Sequence, residues 1–209
     1  MEAADPQERA GYRRSTGSKR GEARRQDLLE RVTDDLAVNG LVDFSLRRAA
    51  RSADTTHKVL LYHFDGVDDL LKQAVQRLRE RRIRDALSAA TAPGPGGGTL
   101  AARVRAVWPV LLGEGFGLHR VLDQAIGLAM YDPEHYAELG REASGQYLPG
   151  LRSICPEGWT EQRKEEVSAM ILAVLRGFLV DLSTRGDTTG IDAGLEALTR
   201  ALEREEAAG

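Results

Sequence analysis

Hydrophobic residues in this chain recur three and four positions apart almost wherever they cluster, and no stretch sustains an alternation of two. Val167, Met170, Ile171, Val174, Leu175, Phe178, Leu179 and Leu182 form one such series, and Ile191, Leu195, Leu198 and Leu202 form another. A period near 3.6 places apolar side chains on one face of an α-helix, whereas a half-buried strand needs a period of two. The expected fold class is therefore all-α. A low aromatic fraction, 5%, and abundant Ala, Leu, Arg and Glu point the same way.

The punctuation between these series divides the chain. Residues 1–22 lack apolar periodicity, and seven basic residues fall between Arg9 and Arg25 against the single acid Glu22, so this stretch reads as a basic arm. Such an arm can touch phosphates or enter a minor groove, and it can equally be a solvated tail. From Arg24 the residues Leu28, Val32 and Leu36 mark a first helix that stops at Asn39-Gly40. Ser45 precedes a short second helix, Leu46 to Ser52. Asp54-Thr55-Thr56 forms a turn and cap, and a third helix runs from about His57 to His63. After Phe64-Asp65-Gly66, a long helix from Val67 to about Ala90 would bury Leu70, Leu71, Val75, Leu78 and Ile83.

Ala92-Pro93-Gly94-Pro95-Gly96-Gly97-Gly98 cannot continue a helix and marks a linker. Further helices are expected at roughly 99–114, 118–130, 133–154, 160–184 and 190–206. The expected organisation is a basic arm at 1–22, a three-helix head at 23–66, a connecting helix at 67–91 and a helical body at 92–209.

Charge follows this division. Residues 1–91 hold 18 Lys/Arg against 15 Asp/Glu, and the remainder holds 11 against 17, so a positive head precedes an acidic body. That polarity suits a nucleic-acid-binding module joined to a domain with another task. No run of 18 apolar residues occurs and residues 1–21 carry no apolar signal core, so a cytoplasmic protein without membrane contact is expected. Cys155 is alone, which excludes an internal disulfide and a cysteine-rich zinc site; no metal or cofactor is expected.

Two short helices joined by a tight turn and preceded by a longer helix make a helix-turn-helix, whose last helix lies in the major groove. Residues 28–75, LLERVTDDLAVNGLVDFSLRRAARSADTTHKVLLYHFDGVDDLLKQAV, cover about a quarter of the chain and resemble the DNA-binding domain of the tetracycline-repressor (TetR) family. The resemblance is carried by Asn39-Gly40, the Ser45 cap, Ala49-Ala50, Leu60-x-Tyr62-His63-Phe64 and Asp68-Asp69-Leu70-Leu71. Asp54 stands where the family usually has a turn glycine, Thr55 replaces the following apolar residue, Lys58 a small one, and Val67 a frequent phosphate-touching lysine. Asp tolerates the left-handed conformation better than most residues, so the turn can survive.

The resemblance implies base contacts from Arg47, His57, Lys58 and Tyr62, and phosphate contacts from Ser45, Thr55, Thr56 and His63. Arg and Lys can donate to guanine O6 and N7, while hydroxyls near a helix N-terminus suit phosphate oxygens. Arg48 sits where a capping box would place Glu or Gln, and with Arg47 and Arg51 it makes a basic edge expected to face phosphate. Phe64 reads as a core plug, and Tyr62 fits either core or groove. The run Arg77, Arg79, Arg81, Arg82, Arg84 is spread round its helix and is expected to be a solvated surface.

For the body, the resemblance implies a dimer built from the last two helices, with Met170, Ile171, Val174, Phe178, Leu182, Leu195, Leu198 and Leu202 as interface candidates; an intramolecular core is the alternative for the same faces. It also implies a small-molecule effector. Trp108, Phe116, His119, Met130, Tyr131, Tyr136, Tyr147 and Phe178 are the candidate ligand contacts, chosen for aromatic or adaptable surface with polar handles. The resulting expectation is a ligand-responsive transcription regulator, a repressor that binds double-stranded operator DNA as a homodimer. The rivals are a helical interaction protein without DNA binding and a helical enzyme. Against the enzyme, His119 and His135 are isolated and no metalloprotease, phosphate-loop or nucleophile-elbow motif occurs.

Overall fold

A computed structural model of the protein describes residues 18–93, 98–113, 115–186 and 188–208, without the side chains of 115–117. Every regular element among them is a helix, and the chain divides into two compact units, residues 1–76 and 77–209. Most of the expected basic arm and the centre of the Gly/Pro linker lie outside the described residues.

In the first unit, α1 (Lys19–Asn39) starts where the Ser18 hydroxyl accepts a hydrogen bond from the Gly21 amide, so the helix opens within the stretch expected to be an arm. It buries Leu28, Leu29, Val32, Thr33 and Leu36 along one face and ends at Gly40, whose φ of 74° suits a residue without a Cβ. The Gly40 N–H closes the helix on the Leu36 carbonyl at 2.9 Å. Next come α2 (Leu46–Ser52) and α3 (His57–His63), followed by the first turns of α4 (Val67–Thr91). Ala49, Ala50 and Ala53 are buried, so small side chains let α2 lie close to its neighbours. Leu60, Phe64, Leu70, Leu71, Ala74 and Val75 complete this core.

The second unit holds the remainder of α4, then α5 (Leu100–Gly113), α6 (Gly115–Tyr131), α7 (Pro133–Gly145), α8 (Leu148–Ser153), α9 (Glu161–Arg185) and α10 (Thr189–Ala207). The single helix expected at 133–154 is two helices. Pro149 lies in the first turn of α8, the part of a helix that tolerates a missing N–H, and would break a continuous one.

One apolar cluster joins Leu100, Val104, Trp108 and Leu111 of α5 to the buried faces of α9 and α10. Within the chain, the intramolecular alternative accounts for most of the expected interface residues. Ile171, Leu182, Leu195, Leu198 and Leu202 belong to that internal core, and Val174 and Phe178 pack against it. Helical periodicity identifies the face that is covered, not what covers it. The Phe178 ring stands edge-on to Trp108, centroids 5.9 Å apart at 77°, and over Gly194, where an added Cβ would lie 2.7 Å from the ring. Of the expected interface residues, Met170 remains exposed. Helix α9 is long and apolar enough to span a membrane by length and composition, and only 33% of its most apolar window is buried within the chain.

Candidate nucleic-acid interface and effector cavity

The turn between α2 and α3 is set by backbone geometry. Asp54 adopts φ 48°, the left-handed conformation that the family's glycine would supply, and its neighbours carry the closing hydrogen bonds. The Ala53 N–H donates to Ala49 O at 3.0 Å and the Thr55 N–H reaches back to Ala50 O at 2.9 Å. Caps complete the unit: Ser45 Oγ accepts from the Arg48 amide at 3.3 Å and Thr56 Oγ1 from the Val59 amide at 3.4 Å.

Helix α3 is anchored by Leu60 and by Phe64 just beyond its end, which is buried beneath the Arg25 guanidinium, 5.0 Å from the ring centroid. Arg25 also donates to the His63 carbonyl at 3.3 Å and to Gln73 Oε1. With that side fixed, His57, Lys58 and Leu61 are exposed and Tyr62 half-buried. Leu61, 53% exposed, was not among the sequence candidates. Its signal was its place four residues after His57 and three after Lys58, on the same face, where an apolar tip can meet a thymine methyl.

Arg47, Ser45 and Thr56 are exposed, and Thr55 is half-buried. Arg48 departs from its expected role. Its Nε donates to Asp35 Oδ2 at 2.7 Å and its Nη1 to Val42 O at 2.9 Å, with the two charged side chains 13% and 15% exposed. The guanidinium thus ties α2 to α1 instead of standing on a phosphate-facing edge. His63 is half-buried and edge-on to Tyr62, with centroids 4.9 Å apart. Burial, then Arg25 and Arg24, hold its imidazole below the ordinary value of 6.5, so it favours the neutral form.

The second unit contains a cavity of about 90 Å³ within a wider cleft of about 820 Å³ that opens to solvent. Apolar side chains such as Ile83, Leu87, Ile126 and Leu175 form most of the wall. Its polar groups are Arg79 and Arg82 from α4, Asp123 from α6, Tyr147 and Arg176. The expected solvated surface thus fails at two positions: Arg79 is 1% and Arg82 5% exposed. Arg79 Nη2 donates to Leu139 O at 2.7 Å, and Arg176 donates to Ala143 O at 2.8 Å and Ser144 Oγ at 3.3 Å. Tyr147 accepts from Arg82, and burial raises its phenol above the ordinary value.

Of the expected ligand contacts, Tyr147 lines this cavity. Trp108 and Phe178 belong to the apolar core, while Met130 and Tyr131 are 79% and 89% exposed. Tyr136 is half-buried against the His135 ring at 4.4 Å. His119 is buried without lining the cavity, and burial together with Arg82 and Arg120 lowers its imidazole. The Phe116 side chain lies outside the described residues. Large apolar rings fill cores as readily as they line pockets, so the ring-bearing candidates divide between the two.

No family model matches the sequence and no curated protein does. Solved structures do match. A TetR transcription regulator from Haloarcula marismortui aligns over 88% of this chain and 98% of its own, with a TM-score of 0.65 at 18% identity. A TetR transcriptional regulator from Legionella pneumophila covers 98% of this chain and 99% of its own at a TM-score of 0.62 and 11% identity. A transcriptional regulator from Rhodococcus aligns over 85% and 91% at 0.59 and 22% identity. The helix-turn-helix head and the helical body together give this chain the fold of the TetR-type transcriptional regulators.

Proposed function

We infer that the protein is a ligand-responsive, DNA-binding transcription regulator, a repressor that holds a two-fold symmetric operator as a homodimer. The observation that carries this reading is the α2–turn–α3 unit. Asp54 preserves the turn, Leu60 and Phe64 anchor one side of α3, and His57, Lys58, Leu61 and Tyr62 are left on the other. A helix anchored on one side and bearing donors on the other is what major-groove readout requires. The likeness to solved regulators adds support. In this reading the protein is cytoplasmic and not an enzyme.

A dimer places two such helices about 34–36 Å apart, one turn of DNA. The face available for it is the outer side of α9, where Met170, Ala173, Gly177 and Val180 are exposed at steps of three and four. Small residues there let a second copy's helix approach closely. Val180→Arg would set like charges near a two-fold axis, so light scattering after size exclusion should show the wild-type dimer reduced to monomer.

The effector site is the cavity. Helix α4 supplies the head's core with Leu70, Leu71 and Val75 and the cavity with Arg79 and Arg82. A ligand that binds one position of this helix better than another shifts the equilibrium by that difference. Footprinting on DNA upstream of the protein's own gene tests the reading: a protected symmetric site that weakens with salt is the expected result. No protection at low ionic strength would reject it.

A further inference from the structure

We propose that the cavity of the second unit is built for a small apolar monocarboxylate, its carboxylate held by Arg79, Arg176 and Arg82 and its hydrocarbon body by the aliphatic wall. This rests on the effector-site reading above and assigns that site a chemical class.

Three guanidiniums from two helices line one cavity, and among the described residues Asp123 is the one carboxylate that lines it with them. Arg79 and Arg176 spend their hydrogen bonds on neutral acceptors, the carbonyls of Leu139 and Ala143 and the Ser144 hydroxyl. These bonds orient the side chains, and the carboxylate that draws on Arg79, Glu142, does not line the cavity. Keeping cationic groups out of water costs free energy unless an anion meets them, so a cavity lined by two buried guanidiniums and one half-buried one against a single carboxylate favours a negative ligand.

Asp123 offsets one of those three charges at most. Its Oδ2 is buried without a hydrogen-bond partner, and burial pushes its carboxyl above the ordinary value although Arg82 and Arg176 pull the other way. Burial makes this carboxyl the more readily protonated, and in that form it donates to a second carboxylate. Tyr147, engaged by Arg82 on the same wall, adds a phenol.

Size and polarity narrow the ligand further. At roughly 30 Å³ per water, the cavity of about 90 Å³ takes about three water-sized groups, and a short chain can extend from it into the wider cleft, so hexanoate serves as the probe. Apart from the five polar side chains, the wall is aliphatic, which favours a hydrocarbon body over a sugar or a nucleotide. Guanidinium forks match a planar carboxylate in bidentate geometry.

The test uses the full chain, titrated with sodium hexanoate and, separately, with 1-hexanol at constant ionic strength and followed by ligand-observed NMR. Because hydrogen bonds to charged groups are the stronger ones, hexanoate should bind about tenfold or more tightly than 1-hexanol. Arg176→Gln should erase that preference while leaving 1-hexanol binding in place. Ala86→Phe, which fills the cavity from α4, should abolish both, with circular dichroism reporting that the helices persist. If 1-hexanol binds as well as hexanoate, the carboxylate assignment falls and an effector cavity stands. Hexanoate binding that survives both substitutions places the anion elsewhere and overturns the proposal. If neither compound binds, the effector reading of the cavity falls with it.

Discussion

Replacing Asp35 by Ala separates a structural from a DNA-contacting role for Arg48. The Arg48–Asp35 pair spans α1 and α2 at 2.7 Å with both side chains about one-seventh exposed, and Arg48 also donates to Val42 O. Breaking a fully buried pair costs about 3–5 kcal/mol, and a fully exposed one about 0–1 kcal/mol. This pair lies between those limits, and carbonyls remain to hold the stranded guanidinium, so about 2 kcal/mol is the expected loss. At 1.4 kcal/mol per factor of ten that is about a thirtyfold rise in local opening. Amide exchange along Leu28–Leu36 of α1 measures it directly. Trp108 and Trp159, the only two tryptophans, both lie in the second unit, so the fluorescence melt should stay unchanged as an internal control. In parallel, Arg48→Met should leave the salt dependence of operator binding intact. Exchange altered less than about twofold, together with a salt slope reduced by about one, would refute the structural assignment and return Arg48 to the phosphates.

Lys58→Ala should weaken operator binding by about 1–3 kcal/mol in fluorescence anisotropy, because the exposed ammonium stands on the outer face of α3; unchanged affinity removes it from the contact surface. Gly194→Leu drives side-chain atoms into the Phe178 ring, already 2.7 Å from an added Cβ, and should destabilise the body by about 1–3 kcal/mol in urea melts read by tryptophan fluorescence. Burial lowers the His63 imidazole from 6.5, so between its folded value and 6.5 the unfolded chain binds more protons and stability falls as pH falls. That contribution is complete above pH 6.5. His63→Gln should flatten the pH dependence of α1 amide exchange, and an NMR midpoint for His63 at or above 6.5 would contradict the assignment.

The head was legible because its signals are local. Asn39-Gly40 stops α1, Ser45 and Thr56 cap α2 and α3, and Asp54 takes the left-handed turn that its side chain tolerates. The body was legible only as helices. The segment at 133–154 divides between α7 and α8 at Gln146 and Tyr147, ahead of Pro149, and the arginines of α4 read as surface from spacing alone.

Sequence by itself determined the helical class, the order of the elements, the turn chemistry of the head and the likeness of residues 28–75 to a known DNA-binding domain. Each depends on residues within a few positions of one another, where dihedral preference and hydrogen-bond reach decide the outcome. Only the tertiary structure decided what the apolar stripes of α9 and α10 face, which arginines are withdrawn from water and where a cavity opens. Those are properties of partners distant in the chain: Arg79 meets the Leu139 carbonyl, Arg176 the Ala143 carbonyl, and Phe178 lies over Gly194. A periodic pattern encodes that a face must be covered, and packing alone selects the surface that covers it.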